Sequence, residues 1–234
     1  MNKVEQSIAY LRQAEQSFDQ VVFACSFGAE DVVLLDLISK YAPRIRIISL
    51  DTGRLPQETY DVMDVWRKGK GLDIDLYFPD ADDVQTMVKQ DGVNLFYDSV
   101  EKRKQCCFVR KIKPLKRALE GAEAWVTGLR GEQAKTRVTM RAVEDDAAFG
   151  IKKYNPLIDW SEQDVWDYIK SHELPYNALH DKFYPSIGCA PCTRAISVGE
   201  DPRAGRWWWE QEDAVAECGL HVNPIAGKAA EKGA

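Results

Sequence analysis

Val21-Val22-Phe23-Ala24-Cys25 runs directly into Ser26-Phe27-Gly28-Ala29-Glu30-Asp31, and the apolar stretch Val32 to Ile38 follows. Five apolar residues bounded by turn formers read as a buried strand, and the stretch after the turn reads as a helix. A strand feeding a helix in this way is the first step of a parallel α/β sheet. Working outward, the pattern repeats. Ile45 to Leu50 is a second strand, and a helix opens at Pro56 and runs toward Lys70. Ile74 to Phe78 is a third strand, Val84 to Lys89 a short helix, and Ala124 to Thr127 a fourth strand. Toward the N-terminus, Val4, Ile8 and Leu11 share one helical face. Strands separated by helices imply right-handed crossovers, hence an α/β fold with a mostly parallel, twisted sheet flanked by helices. Such sheets bind ligands beyond the carboxyl ends of their strands.

Ser161-Glu162-Gln163-Asp164 opens a further helix with a capping-box pattern. From Leu174 the chain becomes loop-rich, punctuated by Pro175, Pro185, Pro191 and Pro202. Asn223 to Ala234 is small, polar and aperiodic. The expected organisation is one α/β domain over residues 1–210 and a mobile C-terminal segment over 211–234. The 234 residues supply a full core without disulfide staples. No apolar run reaches the roughly 18 residues of a membrane span, and the first residues lack a signal-peptide core, so a cytoplasmic protein is expected. A net charge of -6 argues against nonspecific nucleic-acid binding. In a reducing compartment the six cysteines are metal ligands, catalysts or core residues sooner than disulfides.

Three polar segments follow predicted strands. Ser26 to Asp31, with Gly28 inside it, can present backbone N–H groups to a phosphate-like anion, although many strand–helix turns need a glycine for geometry alone. Asp51-Thr52-Gly53-Arg54 combines a carboxylate, a hydroxyl, a flexible residue and a guanidinium, which suits nucleotide recognition and equally suits a turn. Thr127-Gly128-Leu129-Arg130 continues through Lys135, Arg137 and Arg141, with Glu132 the sole acid. Arginine is favoured for bidentate contacts to phosphate or sulfate.

The cysteines are more specific. Cys106-Cys107 is an adjacent pair, and Cys189-Ala190-Pro191-Cys192 is a CxxC. Zinc ligand pairs are normally spaced CxxC or wider, and adjacent side chains on one ion would be strained. Neighbouring thiolates can instead reach different irons of a cluster, which favours [4Fe–4S] over zinc. Lys102 to Arg117 holds eight Lys or Arg and no Asp or Glu, a field suited to an anionic cluster or an anionic substrate. Trp207-Trp208-Trp209 follows Arg203 and Arg206; packing is the ordinary use of such bulk, base stacking the alternative. Cys218, in Glu217-Cys218-Gly219-Leu220-His221, has no close cysteine partner and precedes the aperiodic tail, which makes it a candidate nucleophile with His221 beside it. Cys25 ends an apolar strand and is read as core.

Taken together these residues resemble the assimilatory adenylyl-sulfate reductases of the phosphoadenylyl-sulfate reductase family. The resemblance runs from Phe23 to His221. It is carried by SFGAED at 26–31, LDTGR at 50–54 with ETY at 58–60, CC at 106–107 with RK at 110–111, and TGLR at 127–130. GCAPCT at 188–193, EDPRAGRWWWE at 200–210 and ECGLH at 217–221 complete it. It implies an adenine-nucleotide alpha-hydrolase-like fold related to the PP-loop ATP pyrophosphatases. Those enzymes carry an SGGxDS loop, whereas this chain has SFGAED, as for a sulfonucleotide. The resemblance further implies that Ser26, Gly28, Glu30, Asp31, Asp51, Thr52, Gly53, Arg54, Arg130 and Arg137 surround adenylyl sulfate. It implies that Lys111, Arg203, Arg206 and His221 contact that substrate. Cys106, Cys107, Cys189 and Cys192 would hold a [4Fe–4S] cluster.

The implied reaction is attack of Cys218 on the sulfate sulfur with AMP leaving, then release of sulfite by thioredoxin, or glutaredoxin, as a separate reductant. Phosphoadenylyl sulfate is the nearest alternative substrate, and a PP-loop RNA thiolation enzyme a more remote one. The reading leaves room for a homo-oligomer and calls for neither nucleic acid nor a membrane.

Overall fold

The computed structural model describes residues 2–133 and 140–210. Helix α1 (Lys3–Ser17) is closed at its start by a reciprocal capping box between Asn2 and Glu5. Strand β1 (Val21–Cys25), helix α2 (Ala29–Tyr41) and strand β2 (Arg46–Leu50) follow. Helix α3 (Gln57–Asp64) continues through a π turn at Val65–Gly69 to β3 (Ile74–Tyr77). Helix α4 (Ala81–Asp91) leads to α5 (Val100–Cys107), which passes through a second π turn, Phe108–Ile112, into α6 (Lys113–Ala118). Strand β4 (Ala124–Val126), the hairpin β5 (Val143–Asp146) and β6 (Ile151–Tyr154), and α7 (Glu162–Ser171) follow.

The sheet order is β3-β2-β1-β4-β6-β5. Every neighbouring pair is parallel except β5 with β6. The four strands expected from sequence are present, and the β5–β6 hairpin adds two that were not expected. Central β1 is covered on both faces, which is why it reads as an unbroken apolar run. Val21, Phe23 and Cys25 pack into the core that includes α1, α2 and α7, while Val22 faces Leu115, Leu119 and Trp125 on the opposite side. Cys25 is buried, as its place in the strand required. A third apolar group, separate from both, gathers Phe96, Cys106, Cys189, Cys192 and Trp207. No helix among the described residues is long and apolar enough to cross a membrane.

Candidate functional site

Strand β1 lies between β2 and β4, so the chain leaves it in one direction and later returns on its other side. The carboxyl ends of β1 and β4 therefore flank the crevice where strand order reverses. A cavity of about 570 Å³ opens there. The turn after β1 forms one wall. Its Ser26 backbone N–H and Oγ both donate to Asp31 Oδ2, at 2.5 and 2.7 Å. Buried Phe27 sits in the left-handed region at φ 60, a strained conformation that its surroundings must enforce. Burial raises the Asp31 carboxyl from 3.8 to about 6, against the pull of the Ser26 hydrogen bonds. Gly128, after β4, lies against this carboxylate so closely that any side chain would overlap it. Arg130 crosses the turn to Glu30, Nε to Oε1 at 2.8 Å, and both are largely buried.

Later segments of the chain add cations to the lining, together with Asp201. The cations are Lys111, Arg203 and Arg206, and Trp207 lines the cleft with them. Arg206 donates to the Ile187 carbonyl at 3.1 Å and lies over the Trp207 ring, 4.8 Å from its centroid. The cleft thus carries both signs of charge: Glu30, Asp31 and Arg130 at and beside the β1 turn, and Lys111, Arg203 and Arg206, with Asp201, from later segments.

Near these cations sit four buried thiols. Cys106 and Cys107 end α5, while Cys189 and Cys192 bracket a short 3-10 turn. Thr52 Oγ1 and Cys189 Sγ share a hydrogen bond of 3.2 Å. Burial pushes the Cys189 thiol up, but Lys111, the Thr52 hydrogen bond, Arg206 and Arg110 together outweigh it and hold the group below its ordinary value. Cys192 is pushed up to about 12 by burial and by the neighbouring Cys189. Burial likewise raises Cys106, against the field of Arg110. Among the described residues, no group of three or more His, Cys, Asp or Glu side chains is arranged to hold a single metal ion.

The family model for the phosphoadenosine phosphosulfate reductase domain matches residues 20–195, from just before β1 through the CxxC. The chain belongs to this family. A relative from Allochromatium vinosum named adenosine 5'-phosphosulfate reductase is 54% identical over 220 residues, covering 94% of this chain and 86% of its own. One of the same name from Burkholderia cepacia is 51% identical over 223 residues, covering 95% and 89%. Among solved structures, the phosphate complex of phosphoadenylyl-sulfate reductase from Candida auris superposes with a TM-score of 0.70 at 29% identity, covering 82% of this chain and 90% of that one. FMN adenylyltransferase from Candida glabrata, with FAD and inorganic pyrophosphate, superposes at a TM-score of 0.59 and 13% identity, a likeness of fold alone.

Within this family member, Ser26, Gly28, Glu30, Asp31, Thr52, Lys111, Arg130, Arg203 and Arg206 all line the one cleft. Asp51, Gly53 and Arg54 do not. Asp51 Oδ1 accepts from the Gly53 backbone N–H at 2.7 Å and from Tyr60 Oη at 2.9 Å, which closes the turn after β2. Arg54 points the other way, donating to the Val93 carbonyl at 2.7 Å and stacking over Phe96 beside the buried thiols. Arg137, Cys218 and His221 lie outside the described residues. Trp208 and Trp209 pack edge-on with each other and with Tyr97, so only Trp207 reaches the cleft.

Three positions were given no site role in the sequence reading. Arg110 is buried and donates to the Thr52 carbonyl at 2.7 Å, joining the thiol helix to the β2 turn. Glu162 and His180 line the cleft from the second half of the chain, and burial lowers the His180 imidazole below its ordinary value. The basic run around the cysteines pointed to Arg110, whereas a helix-capping stretch and a loop offered no signal for the other two.

Proposed function

We propose that this protein reduces adenylyl sulfate to sulfite and AMP in assimilatory sulfate reduction. Cys218 serves as nucleophile, and a dithiol protein of the thioredoxin or glutaredoxin class supplies two electrons. The observation that carries the reading is the cleft at the strand-order reversal, lined by Lys111, Arg203 and Arg206, two of which act on the buried thiol of Cys189. The nucleoside lies against the turn after β1, and the phosphosulfate takes the end lined by Lys111, Arg203 and Arg206. These cations offset the sulfate charge that would otherwise repel a thiolate.

The Cys218 thiolate attacks sulfur, the sulfur–oxygen bond to AMP breaks, and AMP leaves with the bonding pair, giving S-sulfocysteine. A thiolate of the reductant then attacks the Cys218 sulfur, and sulfite departs with the electron pair of the sulfur–sulfur bond. The second thiol of the reductant resolves the mixed disulfide, returning Cys218 as thiolate and leaving the reductant oxidised. His221 and Arg137 complete the anion site in this scheme.

Cys106, Cys107, Cys189 and Cys192 fit a [4Fe–4S] cluster. Adjacent Cys106 and Cys107 would be strained on a single zinc ion, and the four thiols are buried, with Lys111, Arg110 and Arg206 acting on Cys189. A cluster would let each of the four thiolates reach a different iron. Bound there, the cluster supplies an anionic, polarisable group that sets the field at Lys111. The reaction's electrons come from the dithiol.

The experiment is incubation of the holoenzyme with adenylyl sulfate, without reductant, followed by intact-mass measurement. A sulfite adduct on the wild type and none on Cys218→Ser is expected. An adduct that survives the substitution refutes the nucleophile. Sulfite release with adenylyl sulfate against its 3'-phosphorylated form tests the substrate, and a greater kcat/KM for the unphosphorylated nucleotide is expected.

A further inference from the structure

Neighbouring side chains on extended backbone point to opposite sides. Arg206 and Trp207 break that rule. The Trp207 backbone is left-handed, φ 49, and its indole is turned back on the preceding residue, with the Arg206 guanidinium 4.8 Å from the ring centroid. A bulky residue keeps this conformation only where its surroundings over-determine it. Here Arg206 forms an antiparallel bridge with Thr193, and the Trp207 N–H donates to the Cys192 carbonyl at 3.2 Å. The indole belongs to the apolar group of Phe96, Cys106, Cys189 and Cys192. Completely buried Arg103, from α5, stands over the same ring, 4.4 Å from its centroid. Arg103 is itself fixed by a two-point ion pair to Glu210, at 2.7 and 2.9 Å.

Arg206 donates from Nη1 to the Ile187 carbonyl at 3.1 Å and to Ser186 Oγ at 3.3 Å. Both bonds hold the same nitrogen. They locate that atom without fixing the plane of the guanidinium, whereas a ring stacked on the group does fix it. The plane matters, because two-point donation within it is what arginine offers a sulfate or phosphate. Trp207 and Arg206 both line the cleft. The indole is only 2% exposed, so it offers almost no surface on which a base could stack.

We propose that Trp207 is a positioning residue, whose turned-back indole sets the plane in which Arg206 presents its N–H groups to the anionic part of the nucleotide. This rests on the reading of the cleft as an adenylyl-sulfate site. It gives the left-handed backbone at Trp207 a purpose, since that turn is what brings the ring onto its neighbour's guanidinium.

The test uses iron-loaded enzyme on the Cys218→Ser background, so that ligands bind without turnover. Dissociation constants for adenylyl sulfate, AMP and adenosine are measured by calorimetry. The variants are Trp207→Leu, which fills space without an aromatic face, Trp207→Phe, which keeps one, Arg206→Ala, and the double variant of Trp207→Leu with Arg206→Ala. Trp207→Leu should weaken adenylyl sulfate by about tenfold, and Trp207→Phe should stay within about threefold of its parent. Adenosine has no anionic end and should bind every variant within about twofold of the parent. The double variant should be weaker than Arg206→Ala by no more than about twofold, because an absent guanidinium cannot be misaligned. Affinities are compared at equal iron per chain; if Trp207→Leu does not load iron, Trp207→Met decides by the same criteria.

Losses that multiply in the double variant would overturn the proposal, since the indole would then act on the nucleotide by a route other than Arg206. Adenosine weakened by Trp207→Leu would put the base on the ring and overturn it as well. So would a phenylalanine variant as weak as the leucine one, or unchanged affinities with only a lowered Tm. An Arg206→Ala enzyme that binds both anionic nucleotides as its parent does would instead overturn the anion site on which the functional reading depends.

Discussion

Gly188 precedes the first cysteine of the CxxC, and a methyl group there would fall inside the guanidinium of Arg206, overlapping Nη2, Cζ and Nε. The backbone has little room to retreat, because the Gly188 N–H donates to Thr193 Oγ1 at 3.1 Å and that hydroxyl donates to the Cys189 carbonyl at 3.0 Å. Arg206 must yield. Leaving its seat breaks contacts to the Ile187 carbonyl at 3.1 Å and Ser186 Oγ at 3.3 Å and disturbs its stacking on Trp207. A hydrogen bond from a charged donor contributes about 1.5–3 kcal/mol, and overpacking costs about 1–3 kcal/mol. The side chain can recover part of this by swinging into the cleft, so Gly188→Ala should destabilise by about 2 kcal/mol. For a chain of this size that is a Tm lower by roughly 4–8 °C.

A functional consequence should accompany the structural one. A displaced Arg206 no longer faces the phosphosulfate, so KM for adenylyl sulfate should rise by about tenfold, the equivalent of about 1.4 kcal/mol. Thermal melts and sulfite-release kinetics on iron-loaded enzyme measure both. Gly69→Ala is the control, since its Cβ would meet nothing closer than Val65 Cγ1 at 3.8 Å. Gly188→Ala and Arg206→Ala should also be strongly non-additive. A Gly188→Ala enzyme with unchanged KM would show that Arg206 does not grip the substrate from this seat.

Two further substitutions separate stability from catalysis. The native state holds the Asp31 proton more tightly than the unfolded chain, with a carboxyl at about 6 against 3.8. That contribution to stability is present below about pH 4 and is lost as pH rises through 6, about 3 kcal/mol in all. Asp31→Asn should therefore gain on the wild type in urea midpoint between pH 4 and 7, and parallel pH profiles would refute the burial argument. Ser7 is buried, donates to the Pro156 carbonyl at 2.7 Å and accepts from Trp160 Nε1 at 3.0 Å. Ser7→Ala leaves both groups unsatisfied and should cost about 1–3 kcal/mol, read by denaturant melts, with kcat unchanged.

The half of the sheet buried on both faces was legible because burial leaves an unbroken apolar signature in β1 and β4 and a largely apolar one in β2, despite its Arg46 and Ser49. The β5–β6 hairpin carried no such signature. Its strands read Val143-Glu144-Asp145-Asp146 and Ile151-Lys152-Lys153-Tyr154, which look like charged loop. Paired in antiparallel register, they set Glu144 opposite Lys153 and Asp145 opposite Lys152, with ion pairs at 3.4 and 2.6 Å. Complementary charge on either side of Gly150 was the available signal. At the site, residue types identified the participants but not their directions. Arg54 and Arg130 both follow strands and look alike in sequence, yet one turns toward Phe96 and the other toward Glu30. Only the partners within reach of each guanidinium decide that.

The cleft at the strand-order reversal draws its walls from segments as distant as Ser26, Lys111, Arg130 and Arg206. A molecule bound there bridges both halves of the sheet, so its binding energy adds to global stability and not merely to the order of one loop. At a hundredfold excess over Kd this linkage is worth about 2.7 kcal/mol, or roughly 5–10 °C in Tm. AMP, lacking the sulfate, should shift the melt less than adenylyl sulfate does on the Cys218→Ser background. Thermal denaturation thereby becomes a turnover-free ruler for how much grip each part of the nucleotide contributes.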